Sequence, residues 1–377
     1  MKTTIAGSQS QNAKRVLVLS LYPLTALGGG ERYTYETIKS ISNSGDDCDA
    51  YALKEGIGDR RHSVQERLGS TFSKVVDHGE FLSERPDSPL SYILDEMATY
   101  DVVWVEQFLS TDIVFDVIAS VASDQTLLFT NLGHEPLKNE FASCYQPAAS
   151  HWFVEISDFA AKRSKGFSEN TIGVSASLWL SDLNCRDKSY DFRHRVVSIG
   201  RVMPHKGFEH TIRALPPDCE LRIVGPHAID DQYFEYLRRD SLDRRVQFLG
   251  AVSDEEKSSA IWESDLLVAS SCHNLYDGRR IEQAELLGIV LFEALASGTV
   301  PVSSNIGPFV EVMSNLGLNE FVYREGDSSD LALRIANYRR MRSEYIRDKV
   351  SHATNIIKRQ YLWDDYWTRV KTAIRLV

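Results

Sequence analysis

Short apolar runs alternate with helix-patterned segments along almost the whole chain, and no other feature constrains the fold as strongly. RVLVLSL (15–21) reads as a buried strand, and ERYTYETIKSISN follows it as a helix. DAYAL, SKVVD, YDVVWVEQ (100–107), TLLFTNL (126–132) and HWFVEIS (151–157) are further strand segments, with helical stretches such as STDIVFDVIASVAS between them. Continuous apolar runs suit strands covered on both faces, and their alternation with helices is the pattern of βα units on a parallel sheet. Around 181–195 the texture changes to SDLNCRDKSYDFRHR, polar and aperiodic, which predicts an interdomain linker and hinge. A second series follows: VVSIGRV (196–202), ELRIVG (220–225), VQFLGAV (246–252), SDLLVASS (264–271), TVPVSSN (299–305) and FVYREGD (321–327), with helices at 230–242 and 254–263.

The expected fold class is therefore α/β, with two Rossmann-like, doubly wound parallel-sheet domains facing each other across a cleft. A length of 377 residues, 43% of them hydrophobic, agrees with two cores, since domains usually hold about 100–200 residues. The expected divisions are 1–185, with 1–13 as a loose polar tail, then 186–355, then a C-terminal helix 356–377. That helix carries aromatics at 361, 363, 366 and 367, which suit either a crossover onto the first domain or a core stripe of the second. Open sheets of this kind bind ligands beyond the carboxyl ends of their strands, which makes the cleft the expected site.

Charge and cysteine usage exclude several classes. The net charge of −11 argues against a mainly electrostatic hold on nucleic acid or anionic lipid. Peripheral membrane contact is left open but nothing in the composition demands it. The five cysteines (48, 144, 185, 219, 272) are odd in number and widely spaced, as in reduced cytoplasmic thiols rather than a disulfide frame or a zinc site. No apolar run reaches a membrane span, and the N-terminal segment lacks the apolar centre of a signal peptide.

Three features carry candidate chemistry. Gly28, Gly29 and Gly30 lie between the first strand and first helix, where backbone N–H groups can approach an oxyanion. Their spacing is not that of a dinucleotide fingerprint, and a flexible turn accounts for them equally well. Arg201 and Lys206, in SIGRVMPHKG, follow the first strand of the second series with glycines beside them, a combination suited to a pyrophosphate. The third is AELLGIVLFEALASG (284–298), where Glu293 is the lone carboxylate in an apolar run. A buried carboxylate needs a partner. If Glu285 lies in the loop and the helix starts near Gly288, free N–H groups point into the cleft and Glu293 follows on the second turn, placed to accept from a ribose diol. The alternative is an ion pair with a nearby arginine. Asp47-Cys48-Asp49 is formally an Asp-x-Asp metal motif but precedes a short strand far from these features.

Taken in order, IGRVMPHKG, LRIVG, VQFLGAVSDEE and ELLGIVLFEALASGTVPVSSNIGPFVEV closely resemble the retaining glycosyltransferases of the GT-B fold, glycosyltransferase family 4. The resemblance covers nearly all of 196–315; GGGER, TNLGHEP and ISDFAAKRSKG extend it more loosely into the first half. It implies a metal-independent, retaining hexosyl transfer from a nucleoside diphosphate sugar to a hydroxyl acceptor in glycan, glycolipid or natural-product glycoside biosynthesis. No cofactor beyond the donor substrate is implied. Arg201 and Lys206 would bind the diphosphate, Glu293 the ribose, and Glu285 the donor sugar. The amides around Gly288, Ile289 and Val290 would complete the phosphate site. Val246 to Leu249 would run beside the nucleobase, and Gly225, in LRIVG, would join the donor site. His134 would meet the donor sugar, and the loop holding Gly29 and Gly30 would lie near the diphosphate. The alternatives within this resemblance are a sugar-nucleotide epimerase and a nucleotide-sugar-binding protein without turnover. Two features depart from the family: Leu286 where a glycine is common, and a long charged loop, CHNLYDGRRIEQA (272–284), whose Arg279 and Arg280 suit an anionic acceptor or simple exposure.

Overall fold

The computed structural model describes residues 13–20, 29–52, 74–76, 94–106, 111–132, 144–183, 188–227 and 230–376. The expected N-terminal tail lies outside these residues except for Ala13. The chain divides into two compact units, one formed by Met1–Val174 with Trp363–Val377, the other by Ser175–Leu362.

The first unit is built on strands β1 (Arg15–Ser20), β2 (Asp47–Ala52), β3 (Lys74–Val76), β4 (Val102–Glu106), β5 (Thr126–Thr130), β6 (His151–Glu155) and β7 (Thr171–Gly173). They form one parallel sheet in the order β3-β2-β1-β4-β5-β6-β7. Helices α1 (Gly29–Asn43), α2 (Thr111–Ser120) and α3 (Asp158–Ser164) supply crossovers. Alternate residues of the central strands point to opposite faces, yet Leu17 and Val103 on one face and Val16 and Val102 on the other are all fully buried. A sheet buried on both faces explains why its strands read as unbroken apolar runs. The short α3 is set by its start, where the Ser157 hydroxyl accepts from the Ala160 N–H at 3.1 Å, with Asp158 in the first turn and Lys162 and Arg163 in the last.

The C-terminal helix Tyr366–Ile374 packs on α1. The hydroxyls of Tyr33 and Tyr366 lie 2.8 Å apart, and Trp363 meets the Tyr33 ring edge-on at 4.9 Å. Trp367 packs 5.7 Å from Trp104 and donates its indole N–H to the buried Asp46 at 2.6 Å. Lys371 reaches the same carboxylate oxygen at 2.6 Å.

In the second unit, β8 (Arg195–Ile199), β9 (Glu220–Val224), β10 (Arg245–Gly250), β11 (Leu266–Ala269), β12 (Val300–Ser304) and β13 (Val322–Tyr323) form a parallel sheet ordered β10-β9-β8-β11-β12-β13. The helices are α4 (Phe208–Ala214), α5 (Asp231–Asp240), α6 (Asp254–Glu263), α7 (Ile289–Ala296), α8 (Gly307–Asn315), α9 (Ser328–Tyr338) and α10 (Ser343–Gln360). A reciprocal capping box fixes the start of α6: Glu256 N–H donates to the Ser253 hydroxyl at 3.2 Å, and Ser253 N–H to the Glu256 carboxylate at 2.8 Å. Both sheets wind outwards in opposite directions from their first strand, so each has a switch point, between β1 and β4 and between β8 and β11.

Several sequence expectations differ in detail. The units divide after Val174, not at 185. Ser177 and Leu178 are tied to Tyr361 and Leu362, and the expected linker is anchored where it is described: Lys188 donates to the Ser264 carbonyl at 2.6 Å, and Arg193 N–H to Asp265 at 2.9 Å. The expected helix 356–377 is two helices, broken between Gln360 and Tyr366, because Tyr361 turns inward against Phe292 at 4.9 Å. Among the described residues, no helix is long and apolar enough to cross a membrane.

Candidate active site

The carboxyl ends of β8 and β9 in the second unit run straight into glycines. Gly200 and Gly225 take φ values of +150° and +142°, and a Cβ on Gly225 would stand 2.6 Å from the Gly200 carbonyl carbon. The two turns therefore approach backbone to backbone, which a side chain at Gly225 would prevent. Gly200 N–H donates to the Val224 carbonyl at 2.9 Å and Gly225 N–H to the Gly250 carbonyl at 2.8 Å.

From Gly200 the chain passes through Arg201, whose residue is exposed, into a single tight turn, Pro204–Lys206. Gly207 ends the turn at φ +59°, and its missing side chain leaves room for the Ser270 carbonyl and for the Cys272 sulfur, 3.2 Å from the Cβ position. The loop after β11 is thereby sewn to the loop after β8. The Ser270 hydroxyl donates to the Lys206 carbonyl at 2.9 Å, and Cys272 N–H to the His205 carbonyl at 2.9 Å. These loops flank the switch point of the sheet.

The Lys206 ammonium lies 2.8 Å from Glu285 Oε2, both side chains less than one-fifth exposed. The other carboxylate oxygen of Glu285 accepts from the Leu286 N–H at 3.0 Å. Glu285 is in the loop, because α7 starts only at Ile289. Gly288 precedes it at φ +87°, where a Cβ would stand 2.8 Å from a ring carbon of Phe309. No side chain caps α7, and the first N–H groups of a helix have no intrahelical acceptor. Lys206, Glu285 and the Gly288–Val290 amides thus belong to loops and a helix start at one edge of one sheet.

Glu293 is on the second turn of α7, and Lys257 of α6 lies 3.0 Å from its Oε1. The partner that accounts for this carboxylate in an apolar helix is a lysine rather than an arginine. Lys257 also reaches Asp254 at 3.1 Å. Nothing in the sequence pointed to Lys257, which stands 36 positions away in DEEKSS; only the packing of α6 against α7 brings it there.

The remaining candidates are dispersed. Val246 and Leu249 are on β10, an edge strand of the sheet, with Leu249 exposed. Gly29 and Gly30 belong to the first unit, where they form the first turn of α1 rather than a loop before it. Gly28 and His134 lie outside the described residues. In the Asp47-Cys48-Asp49 segment, Asp49 is buried and accepts from the Tyr100 hydroxyl at 2.7 Å, while Cys48 is buried, so the strand separates rather than gathers these groups. Arg279 and Arg280 are exposed and hold their own loop, Arg279 on Asp277 at 2.6 Å and Arg280 on Asn274 at 3.3 Å.

The first unit holds two acids that sequence reading missed. Glu106 ends β4 at the switch point and Glu155 ends β6. Both are buried, and burial pushes each carboxyl up to about 7 against the opposing pull of neighbouring hydroxyls, Thr34 and Thr37 for Glu106, Ser164 for Glu155. In the sequence both lie inside the apolar strand segments 100–107 and 151–157, with nothing to set them apart.

Comparison with known proteins shows first the fold and then a family match over part of the chain. A glycosyltransferase of Rickettsia africae aligns over 97% of this chain and 100% of its own, with a TM-score of 0.72 at 14% identity. Anabaena HepE, solved with UDP and glucose, aligns over 97% of this chain and 100% of its own, with a TM-score of 0.70 at 18% identity. The fold is that of the GT-B glycosyltransferases. Residues 188–354 match the family described as glycosyl transferases group 1. A phosphatidyl-myo-inositol mannosyltransferase of Mycobacterium tuberculosis is 32% identical over 178 residues, which are 45% of this chain and 43% of that protein. The chain spans less than half the length of the curated relatives it matches.

Proposed function

We propose that this chain is a retaining glycosyltransferase of family 4 type. It moves a hexose from a nucleoside diphosphate sugar to a hydroxyl acceptor in glycan, glycolipid or natural-product glycoside biosynthesis, in the cytoplasm. The observation that carries the reading is the Lys206–Glu285 pair, 2.8 Å apart at the carboxyl edge of the sheet, together with the uncapped start of α7. Cleaving the bond between the sugar and the diphosphate builds negative charge on the leaving oxygens and positive charge on the sugar ring. Arg201, Lys206 and the Gly288–Val290 amides stabilise the first. Glu285 faces the second and keeps Lys206 in place until the diphosphate takes over its charge.

Glu293, oriented by Lys257, accepts from the ribose hydroxyls. The exposed edge of β10, from Val246 to Leu249, offers backbone groups to the base. In the retaining step the C1–O bond to the diphosphate breaks as the acceptor oxygen bonds C1 on the same face. The acceptor proton passes to the departing phosphate oxygen. This scheme asks for neither a protein base nor a metal to hold the diphosphate, and for no organic cofactor. The roles proposed for His134, Gly29, Gly30 and Gly225 rest on the family resemblance.

The test is release of nucleoside diphosphate from a panel of sugar nucleotides, with and without a mixture of hydroxyl acceptors. Anomeric configuration of the product is read by NMR. Lys206→Ala is expected to lower kcat/KM by about 100-fold or more, the usual cost of one lost transition-state donor, and Glu293→Ala to lower it through weaker donor binding. Wild-type turnover in both variants, or binding of a sugar nucleotide with no transfer to any acceptor, overturns the reading.

A further inference from the structure

Directly behind the Lys206–Gly207 turn, α4 and the loop after β11 bring together a carboxylate, an imidazole and a thiol. A carboxylate oxygen of Glu209, a ring nitrogen of His210 and the Cys272 sulfur all lie within 4.8 Å of one another. Glu209 and Cys272 are each 1% exposed, and the His210 side chain is 13% exposed. Glu209 Oε1 and His210 Nε2 are buried without a hydrogen-bond partner. They stand 3.7 Å apart, too far to serve each other. An unpartnered buried carboxylate oxygen beside an unpartnered buried imidazole nitrogen is costly, and neither the fold nor the proposed transfer reaction uses them.

The surroundings suit a cation. The second oxygen of Glu209 is held by the Tyr233 hydroxyl at 2.5 Å, and that hydroxyl accepts from the Phe208 N–H at 3.0 Å. A carboxylate with one oxygen fixed and the other bare is the arrangement that outer-shell partners give to metal ligands. Burial lowers the His210 pKa and so favours the neutral imidazole, the form that coordinates. Burial and the nearby Glu209 and Glu325 charges push the Cys272 thiol up to about 12, so it ionises only against a strong positive charge. One carboxylate and one thiolate cancel both charges of a divalent ion, which leaves a neutral buried centre. The Tyr323 hydroxyl, also buried and unpartnered, is close enough to feel the Cys272 and Glu209 charges and offers a further oxygen. Gly207 opens one side of the group, its Cβ position being 3.0 Å from the His210 ring.

We infer that Glu209, His210 and Cys272 form a binding site for a divalent transition-metal ion of the zinc type. Mixed sulfur, nitrogen and oxygen donors select such ions over magnesium or calcium. Tetrahedral zinc, with ligands at about 2.0–2.3 Å, brings its ligand atoms to roughly 3.3–3.6 Å from one another, so side-chain adjustments of about 1 Å close the site. The ion clamps the start of α4 to the loop after β11, and so braces the two loops that carry Lys206 and Glu285. Its role is structural, and the inference does not depend on the sugar-transfer reading. Cysteine spacing gave no hint of it, because two of its ligands stand on α4 and the third in a loop 62 positions further on.

The test loads the chelator-stripped full chain with Co²⁺ and, separately, with Zn²⁺. The site predicts a thiolate-to-cobalt charge-transfer band, one bound zinc per chain by elemental analysis, and a melting temperature that rises with zinc concentration. Cys272→Ser and His210→Asn each abolish the band and weaken zinc binding at least ~10-fold, whereas Cys219→Ser keeps both. Cys219 is the control because it belongs to another such group, with His194 and the exposed Asp218. Far-UV circular dichroism checks that each variant is folded, and His210→Asn decides should Cys272→Ser not fold. No cobalt band in the wild type, or a band that survives His210→Asn, overturns the inference.

Discussion

Replacing Gly225 by alanine tests the backbone approach on which the candidate site is built. Gly225 is at φ +142°, and the added Cβ would stand 2.6 Å from the Gly200 carbonyl carbon. Backbone in that region costs a non-glycine residue about 1–3 kcal/mol, and forcing an atom into a packed position adds roughly 1–3 kcal/mol. The expected loss is about 2–6 kcal/mol from the second unit, out of a total that for most domains is about 5–15 kcal/mol. At roughly 2–4 °C per kcal/mol for a unit of this size, its thermal transition falls by about 5–20 °C. Differential scanning calorimetry is the assay, because a chain with two units need not melt in one step. Gly29→Ala is the control: it is helical, and a Cβ there has nothing within 4 Å. Its effect stays within about 1 kcal/mol. Equal melting of Gly225→Ala and wild type, or an equal loss in Gly29→Ala, refutes the reasoning.

Two buried ionisable groups give pH signatures. Burial raises the Glu106 carboxyl from 4.5 to about 7, so its contribution is intact below pH 4.5 and lost as pH rises through 7. Measured by denaturation across that window, Glu106→Gln gains on the wild type by about 3 kcal/mol; a constant gap contradicts the burial argument. Burial lowers Lys188 from 10.5 to about 7, so in the range between those values the unfolded chain binds more protons than the folded one. Wild-type stability therefore rises with pH over that range relative to Lys188→Met, by up to about 5 kcal/mol. Parallel stability curves for the two proteins count against it.

Much of this architecture was legible before the structure. Runs such as VVSIG and LLVA are apolar because both faces of β8 and β11 are covered, and that signal survives without any knowledge of pairing. β7 left no such signal: Thr171–Gly173 is three residues long and only half-buried after its first residue. β13 was read across 321–327 but pairs only at Val322–Tyr323, because Arg324 and the turn ending at Asp327 follow at once. The aromatic stripe of the tail concealed the break at Tyr361, since an inward-facing aromatic looks the same in a helix and in a turn. Lys206 and Glu285 could be named from their positions at a strand end and before a glycine, but their distance could not, because it is set by the neighbouring placement of β8 and β11. Lys257, Glu106 and the Glu209–His210–Cys272 group were invisible for the same reason. Their meaning lies in burial and in who faces them, neither of which a single sequence states.

The carboxyl edge of the second sheet is the proposed diphosphate site. A thermal-shift panel of UDP, GDP, ADP, dTDP and NAD, run on the wild type beside Glu293→Ala and Lys206→Ala, addresses that directly. The account predicts that one nucleoside diphosphate raises the melting temperature in a concentration-dependent way and that both variants lose the shift. Failure of every diphosphate to stabilise the wild type, or a shift that persists undiminished in both variants, would contradict it.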